Sequence, residues 1–168
     1  MSAKARAWGL AVALCVVVLA ADQAAKAVIE DHLVPGEFVP VLGPIELTLS
    51  HNNGVAFGLA GGAGVKLVLV TVLALAVVGF LFARNPLRPW IWVAVGLVAG
   101  GALGNLADRI RADAVTDFIA VGSWPPFNLA DVAITLGVLL LVFVYLREAE
   151  REERAGRAGK APTEGADG

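Results

Sequence analysis

Four long apolar runs constrain the fold of this 168-residue chain more than any other feature of its sequence. They are nearly free of charged residues and cover about Trp8–Ala21, Val65–Ala83, Trp90–Leu106 and Leu129–Leu146. With its flanking residues, each run approaches the roughly 20 residues with which a helix crosses a bilayer. One such run is typical of a buried helix in a soluble protein. Because this short chain has four, and only 17% of its residues are charged, we predict an all-α membrane protein with four transmembrane helices.

The first apolar run has two interpretations. Lys4 and Arg6 precede it, as in a cleavable signal peptide. The region where cleavage would occur continues directly into Asp22-Gln23-Ala24-Ala25-Lys26, and three more apolar runs follow. We therefore interpret it as a retained first helix. Cys15 is the single cysteine, so the chain has no internal disulfide, and we expect Cys15 to fill apolar space.

The placement of basic residues predicts the orientation. They precede the first run, separate the second from the third at Arg84 and Arg88, and follow the fourth from Arg147 onward. The positive-inside rule therefore predicts that both termini lie in the cytoplasm. We expect membrane spans at about 8–27, 65–83, 90–107 and 128–146, with residues 28–64 and the loop 107–128 facing outward. Residues 1–146 then form one membrane domain. Residues 147–168 form a charged cytoplasmic tail that begins as a helix and is disordered from Gly156.

The first outward segment alternates in hydrophobicity. Apolar residues occupy odd positions from Val39 to Leu49, and Gly43-Pro44 interrupts them. This period of two predicts short strands joined by a turn. We expect a small extracytoplasmic β element resting on the helices. In the third run, Gly96, Gly100 and Gly104 recur every four residues, which predicts one smooth helix face for close packing.

The polar residues of the chain collect in one predicted layer. Its members come from the outer ends of the first, third and fourth spans and from the two outward segments, and the middle of every span lacks ionisable groups. Channels and ion-coupled transporters keep such groups near the midplane, so this pattern favours a site at the outer surface. The layer contains Asp22, Lys26, Asn52, Gly54, Asn105, Asp108, Arg109, Asp117, Asn128 and Asp131.

Asp117 and Asp131 are the most suggestive members, because an acid at the edge of a bilayer is costly. One interpretation is a solvated loop acid and a helix-capping acid. The other is a carboxylate pair that shares a proton, one member acting as general base on water and the other as general acid. Gly122 and Pro125-Pro126 allow the intervening chain to turn back. Spacing alone does not decide whether the two side chains converge.

Other members of the layer also have two interpretations. Asp22 and Lys26, one helical turn apart, are either an anchor at the headgroups or part of a site. Asn53-Gly54 is either a plain hairpin turn or a backbone segment that approaches a ligand. Arg109 either orients a carboxylate or carbonyl, or extends to the interface. The chain has neither the His-Glu-x-x-His of zinc peptidases nor Gly-x-Ser-x-Gly, and nothing pairs a serine with a lysine.

Five motifs in order resemble those of lipoprotein signal peptidase, the bacterial signal peptidase II, over roughly residues 8–146. They are Asp22-Gln23-Ala24-Ala25-Lys26, residues 52–58 (Asn-Asn-Gly-Val-Ala-Phe-Gly), residues 100–110 (Gly-Gly-Ala-Leu-Gly-Asn-Leu-Ala-Asp-Arg-Ile), Val115-Thr116-Asp117-Phe118-Ile119 and Phe127-Asn128-Leu129-Ala130-Asp131. Val55 departs mildly from the pattern, in which Ala is frequent at that position.

The resemblance implies an aspartic endopeptidase of the bacterial cytoplasmic membrane that is sensitive to the cyclic peptide globomycin. Its substrates are prolipoproteins whose cysteine carries a diacylglyceryl group, and cleavage occurs on the N-terminal side of that cysteine. Asp117 and Asp131 match the catalytic pair, and the other layer residues match supporting positions. We expect no metal or organic cofactor, no nucleic-acid partner, contact with membrane lipids and a monomer. One further hypothesis is a non-enzymatic protein that binds lipidated substrates. Another is a small transporter, which is disfavoured because the middle of every span lacks ionisable groups.

Overall fold

Four helices dominate the computed structural model, which describes residues 1–54 and 63–158. All four are long and apolar enough to cross a membrane, which confirms the predicted fold class. The helices extend beyond the apolar runs. Asp108 and Arg109 therefore lie on the third helix, and the charged tail continues the fourth helix past Gly156 to Ala158. Residues 159–168, for which we predicted disorder, lie outside the described residues. The helices are α1 (Ala3–His32), α2 (Ala63–Arg84), α3 (Ile91–Ala112) and α4 (Leu129–Ala158).

Helix α3 is the central helix of the bundle. In its most apolar stretch 56% of the residues are buried, against 6% in α2. It packs against α1, α2 and α4. Apolar side chains such as Leu69 and Leu73 of α2 remain exposed. Since hydrocarbon is the solvent for a spanning helix, these outward faces suit contact with lipid.

Glycines permit the close approach of α3 to its neighbours. A Cβ atom built on Gly96 or Gly100 would lie within 3.0 Å of atoms of α1, and one on Gly104 would lie 2.6 Å from Asp22 Oδ2. The predicted smooth face is therefore confirmed, and it packs on α1. Gly101 and Gly137 play the same role between α3 and α4. Small residues let helix backbones pack closely in membranes, where van der Waals contact contributes much of the association.

A four-stranded antiparallel sheet continues from the helices, in the order β1-β2-β3-β4. The alternation in the first outward segment predicted its first two strands correctly. For the second outward segment we predicted a loop, and this was wrong, because residues 115–127 form the other two strands. The strands are β1 (Phe38–Leu42), β2 (Ile45–Asn52), β3 (Val115–Val121) and β4 (Trp124–Phe127).

The sheet packs on the end of α1. Leu49 of β2 and Phe118 of β3 form a buried cluster with Ile29 of α1. Val39 and Val41 of β1 stay exposed, so only part of the alternating segment covers the helices. The register pairs Ser50 with Asp117. This places the middle of β3 next to the end of β2 and beside the polar ends of α1 and α3.

Candidate active site

Asp117 lies in the middle of β3 with its carboxylate enclosed by amides. It is 3% exposed. Asn52 Nδ2 donates to Asp117 Oδ2 at 3.0 Å, and Asn128 Nδ2 donates to Oδ1 at 2.7 Å. Asn52 reaches Asp117 because it ends β2, the strand that pairs with β3. Both oxygens therefore have a donor, although water is almost excluded.

Asp131 belongs to the first turn of α4 and is only partly buried. Asn105 Nδ2 of α3 donates to its Oδ1 at 2.8 Å, and the backbone N–H of Asn128 donates to its Oδ2 at 3.2 Å. In return, the backbone N–H of Asp131 donates to Asn128 Oδ1 at 2.9 Å. This reciprocal pair caps α4, and the helix dipole favours a negative charge at this position.

Asn128 connects the two carboxyl groups, since its side chain binds Asp117 and its backbone binds Asp131. It is fully buried, and its Nδ2 also lies 3.1 Å from Asn105 Oδ1. The two acids of the predicted pair are thus brought together through one residue. The interpretation of Asp117 as a solvated loop acid is wrong, whereas Asp131 does occupy a capping position.

The environment raises the pKa of Asp117 from 3.8 to about 6. Burial is the largest cause, because a charge is poorly solvated there. The hydrogen bond from Asn52 acts in the opposite direction, the nearby charge of Asp131 raises the pKa further, and Asn128 and Lys26 lower it. Asp117 therefore keeps its proton at a pH where an exposed aspartate has lost it.

A buried ion pair, Asp22 with Lys26, packs next to the residues that bind the two carboxylates. Asp22 is fully buried, Lys26 is 3% exposed, and Lys26 Nζ lies 2.8 Å from Asp22 Oδ2 and 2.6 Å from Asp108 Oδ2. Asp22 Oδ1 also accepts the N–H of Ala130 at 2.9 Å, which ties α1 to the start of α4. The interpretation of Asp22 and Lys26 as a headgroup anchor is therefore wrong. The pair joins three helices inside the protein.

Lys26 also reaches towards the carboxylates through Asn105. Its Nζ donates to Asn105 Oδ1 at 3.1 Å. With that oxygen occupied by donors, the Asn105 amide directs its NH₂ group to Asp131. The charge on Lys26 thereby sets which end of the amide faces the acid.

Arg109 lies one turn beyond Asn105 and is half-buried. Its Nη1 donates to the Asn105 carbonyl at 3.3 Å. Its positive charge lies near the carboxylates of Asp131, Asp117 and Asp108. This arrangement agrees with an electrostatic role near the carboxylates better than with extension to the interface.

Gly54 fixes the amide of Asn52. Its N–H donates to Asn52 Oδ1 at 2.9 Å, so that Asn52 Nδ2 faces Asp117. Gly54 has a φ of +72°, and a Cβ atom there would lie 2.5 Å from Leu67 Cδ1. The left-handed backbone conformation favours glycine, and any Cβ atom here would also require the Leu67 side chain to move. Val55 to Gly58 of the same motif lie outside the described residues.

Four further residues complete this network and were not predicted from the sequence as part of it. Gln23 Nε2 donates to Asp108 Oδ1 at 2.8 Å, and Gln23 Oε1 accepts from Arg111 Nη1 at 2.7 Å. Thr116 Oγ1 donates to Glu30 Oε1 and ties β3 to α1. The signal for Gln23 was available, because an amide at the end of an apolar helix needs a partner. The Thr116 contact had no signal, since it depends on a strand that was not predicted.

Asp131 borders a cavity of about 320 Å³. The other lining residues are mostly apolar: Trp124, Phe127, Val132, Thr135 and Leu136. The cavity runs along the first two turns of α4, so a ligand in it would meet the Asp131 carboxylate at one end. Within residues 1–54 and 63–158, no three His, Cys, Asp or Glu side chains cluster closely enough to hold a metal ion.

The chain is similar to known proteins over most of its length. A family model described as signal peptidase (SPase) II matches residues 14–147. A lipoprotein signal peptidase of Pelotomaculum thermopropionicum is 44% identical over 144 residues, which cover 84% of this chain and 94% of that protein. One of Moorella thermoacetica is 42% identical over 143 residues, with 84% and 95% covered. A solved structure titled as a bacterial membrane enzyme matches with a TM-score of 0.78 and 30% identity, covering 82% of this chain and 93% of that one.

Proposed function

The chain belongs to the signal peptidase II family, and from this membership we propose that it removes the signal peptide from diacylglyceryl-modified prolipoproteins. Family membership and the four apolar helices make it a multi-pass peptidase of the bacterial inner membrane. We propose further that it is an aspartic endopeptidase, with Asp117 and Asp131 as its catalytic residues and without a metal or organic cofactor. Cleavage occurs on the N-terminal side of the lipidated cysteine.

One observation carries the catalytic assignment: two carboxyl groups in different electrostatic environments both bind Asn128. Burial raises the pKa of Asp117 to about 6, so Asp117 carries the proton of the pair. Asp131 accepts hydrogen bonds from two N–H donors and lies partly exposed in the first turn of α4. Of the two acids we therefore assign the buried Asp117 as the general acid and Asp131 as the general base.

The hydrolysis follows from these two states. Asp131 takes a proton from water while the water oxygen bonds to the scissile carbonyl carbon, and Asp117 gives its proton to the carbonyl oxygen. The resulting tetrahedral diol collapses as the C–N bond breaks. The departing nitrogen takes a proton from Asp131, and a diol hydroxyl returns one to Asp117. One water is consumed, and a carboxylic acid and a free amine are produced.

The remaining layer residues position this pair. Asn52, Asn105 and Asn128 hold the carboxyl groups, and Gly54 directs the Asn52 amide. Asp22, Lys26 and Asp108 form the buried support beneath Asn105. Arg109 places positive charge near both carboxylates.

The lipid on the substrate fits a site at a membrane surface. We propose that both termini are cytoplasmic and that the carboxylates face outward, because the basic residues concentrate at the opposite ends of the helices. The mostly apolar lining of the cavity beside Asp131 suits a lipid-anchored substrate that arrives from the bilayer. We also propose that the chain works as a monomer surrounded by membrane lipids.

Replacing either acid tests the assignment. Asp117→Asn and Asp131→Asn should each lower kcat for a diacylglyceryl-modified lipobox peptide by roughly 10²–10⁴-fold, because each removes one proton-transfer group. Purified enzyme in detergent, assayed by mass spectrometry of the products, gives the rates. The unlipidated twin of the peptide should be cut far more slowly if the lipid is recognised.

Asp113→Asn is the matched control, since Asp113 is exposed and has the left-handed backbone that asparagine tolerates. It should keep full activity, and thermal unfolding should show that all three variants are folded. Full activity in either site variant would disprove the catalytic pair. Substrate binding without cleavage by the unmodified chain would instead support the non-enzymatic alternative.

A further inference from the structure

A second cavity lies at the end of the bundle opposite the carboxylates. Its volume is about 460 Å³. The link between α2 and α3 forms one wall through Arg88, Pro89 and Trp90, and the last turns of α4 form the other. No step of the proposed hydrolysis uses this cavity.

Two adjacent ridges of α4 face the cavity. Phe143, Arg147 and Arg151 follow one another at intervals of four residues, and Val144, Glu148 and Glu152 form the neighbouring row. Residues four apart lie on one face of a helix. The cavity is therefore apolar at its end near Phe143 and Val144, and charged at its end nearer the C-terminus of α4.

The acidic row is already partly neutralised. Arg88 Nε lies 2.7 Å from Glu148 Oε2, and the Arg88 guanidinium stacks 4.7 Å from the Tyr145 ring centroid. Neither Arg147 nor Arg151 forms such an ion pair within the described parts of the chain. Two like charges one turn apart repel each other, and an anion between them would relieve that repulsion.

The depth of the arginines indicates an amphiphilic ligand. Arg147 is the first charged residue after the apolar run of α4, and its guanidinium lies 5.1 Å from the centroid of the Phe143 ring. Trp90 is exposed at the same end, as tryptophans are at membrane interfaces. Apolar residues thus lie on the membrane side of the cavity and guanidinium groups on the water side.

We propose that this cavity binds an anionic phospholipid of the surrounding leaflet, with Arg147 and Arg151 on its phosphate and its acyl chains along Phe143 and Val144. The planar guanidinium suits the phosphate oxygens because it donates two parallel hydrogen bonds. A free phosphate ion would use only the charged part of the cavity. The site is independent of the peptidase activity.

Native mass spectrometry of the purified protein in neutral detergent tests the proposal. Phosphatidylglycerol should bind more tightly than phosphatidylcholine with the same acyl chains. The double variant Arg147→Gln/Arg151→Gln should bind phosphatidylglycerol roughly 25-fold more weakly, at roughly fivefold per arginine. Arg154→Gln/Arg157→Gln changes the charge equally but outside the cavity lining, and it should alter the affinity less than twofold.

A gain-of-affinity variant covers the case in which the double variant unfolds. Glu152→Gln removes a negative charge from the cavity wall and should tighten phosphatidylglycerol binding several-fold. Equal loss in the two double variants would mean diffuse attraction by the basic tail and would overturn the proposal. Equal binding of phosphatidylcholine, or equally tight binding of glycerol 3-phosphate, would also overturn it. Peptide cleavage in detergent serves as a separate readout and should be unchanged in every variant.

Discussion

At the scale of single residues, Asn128 is the centre of the site, because one asparagine organises both acids. Its amide binds Asp117 from one side while its backbone and side-chain oxygen cap the turn that carries Asp131. The distance between the acids therefore depends on one short segment between β4 and α4. A small shift of this segment would disturb both acids together.

The raised pKa of Asp117 predicts the alkaline limb of the pH profile. Asp117 must be protonated to act as the acid, and its pKa is about 6, against 3.8 for the ordinary group. Raising the pH through about 6 removes this proton, so kcat/KM should fall about tenfold per pH unit well above that value. Rates from pH 5 to pH 9 with one detergent-solubilised lipopeptide measure the limb.

Asn52→Ala provides a directional check on the cause. The Asn52 hydrogen bond lowers the pKa of Asp117, so its removal should raise that pKa and move the limb to higher pH. A merely structural role for Asn52 would lower the rate without moving the limb. A rate that stays constant up to pH 9 in the unmodified enzyme would contradict the role of Asp117 as the proton donor.

At the scale of elements, hydrophobic pattern predicted the helices and the first two strands but missed β3 and β4. Residues Val115 to Phe118 of β3 are all buried, so this strand does not alternate and has no period of two. Pro125 and Pro126 suggested a loop, yet β4 is an edge strand, where a missing N–H is tolerated. The strand that carries Asp117 was therefore missed because it does not alternate, and its partner β4 was missed because of its two prolines.

Glycine packing of α3 predicts which helix contact is least tolerant of change. A Cβ atom on Gly101 would lie 2.4 Å from the Ala130 carbonyl oxygen of α4. Because the neighbour is backbone, Gly101→Ala must shift α4, and it should lower the free energy of unfolding by about 1–3 kcal/mol. It should also reduce cleavage, since Ala130 adjoins Asp131. Thermal unfolding in detergent, followed by tryptophan fluorescence, measures the first effect.

Gly79→Ala is the matched control for this substitution. Gly79 lies in α2, and no atom would lie within 4 Å of a Cβ built there. Alanine is the better helix former, so this change should be neutral or stabilise by roughly 0.5–1 kcal/mol. If Gly101→Ala were as well tolerated as Gly79→Ala, close backbone packing between α3 and α4 would not determine stability.

At the scale of the whole molecule, the bundle has two chemically distinct ends. Carboxylates and amides collect at one end around Asn128, and guanidinium groups collect at the other around Arg147. The position of each polar residue along its helix was enough to predict the first end from the sequence. The convergence of Asp117 and Asp131 was not predictable, because it depends on the pairing of β3 with β4 and on the contacts of Asn128, which spacing does not reveal.

The last prediction concerns which end of the bundle faces the cytoplasm. In a Cys15→Ala background, Glu37→Cys and Glu150→Cys each place one thiol at an exposed position, near opposite ends of the bundle. The positive-inside rule predicts that Glu37 lies outside and Glu150 in the cytoplasm. A membrane-impermeant maleimide should therefore label the first variant in intact spheroplasts and the second only after permeabilisation, while the Cys15→Ala parent stays unlabelled. The reverse pattern would place the carboxylates in the cytoplasm and would contradict the proposed orientation.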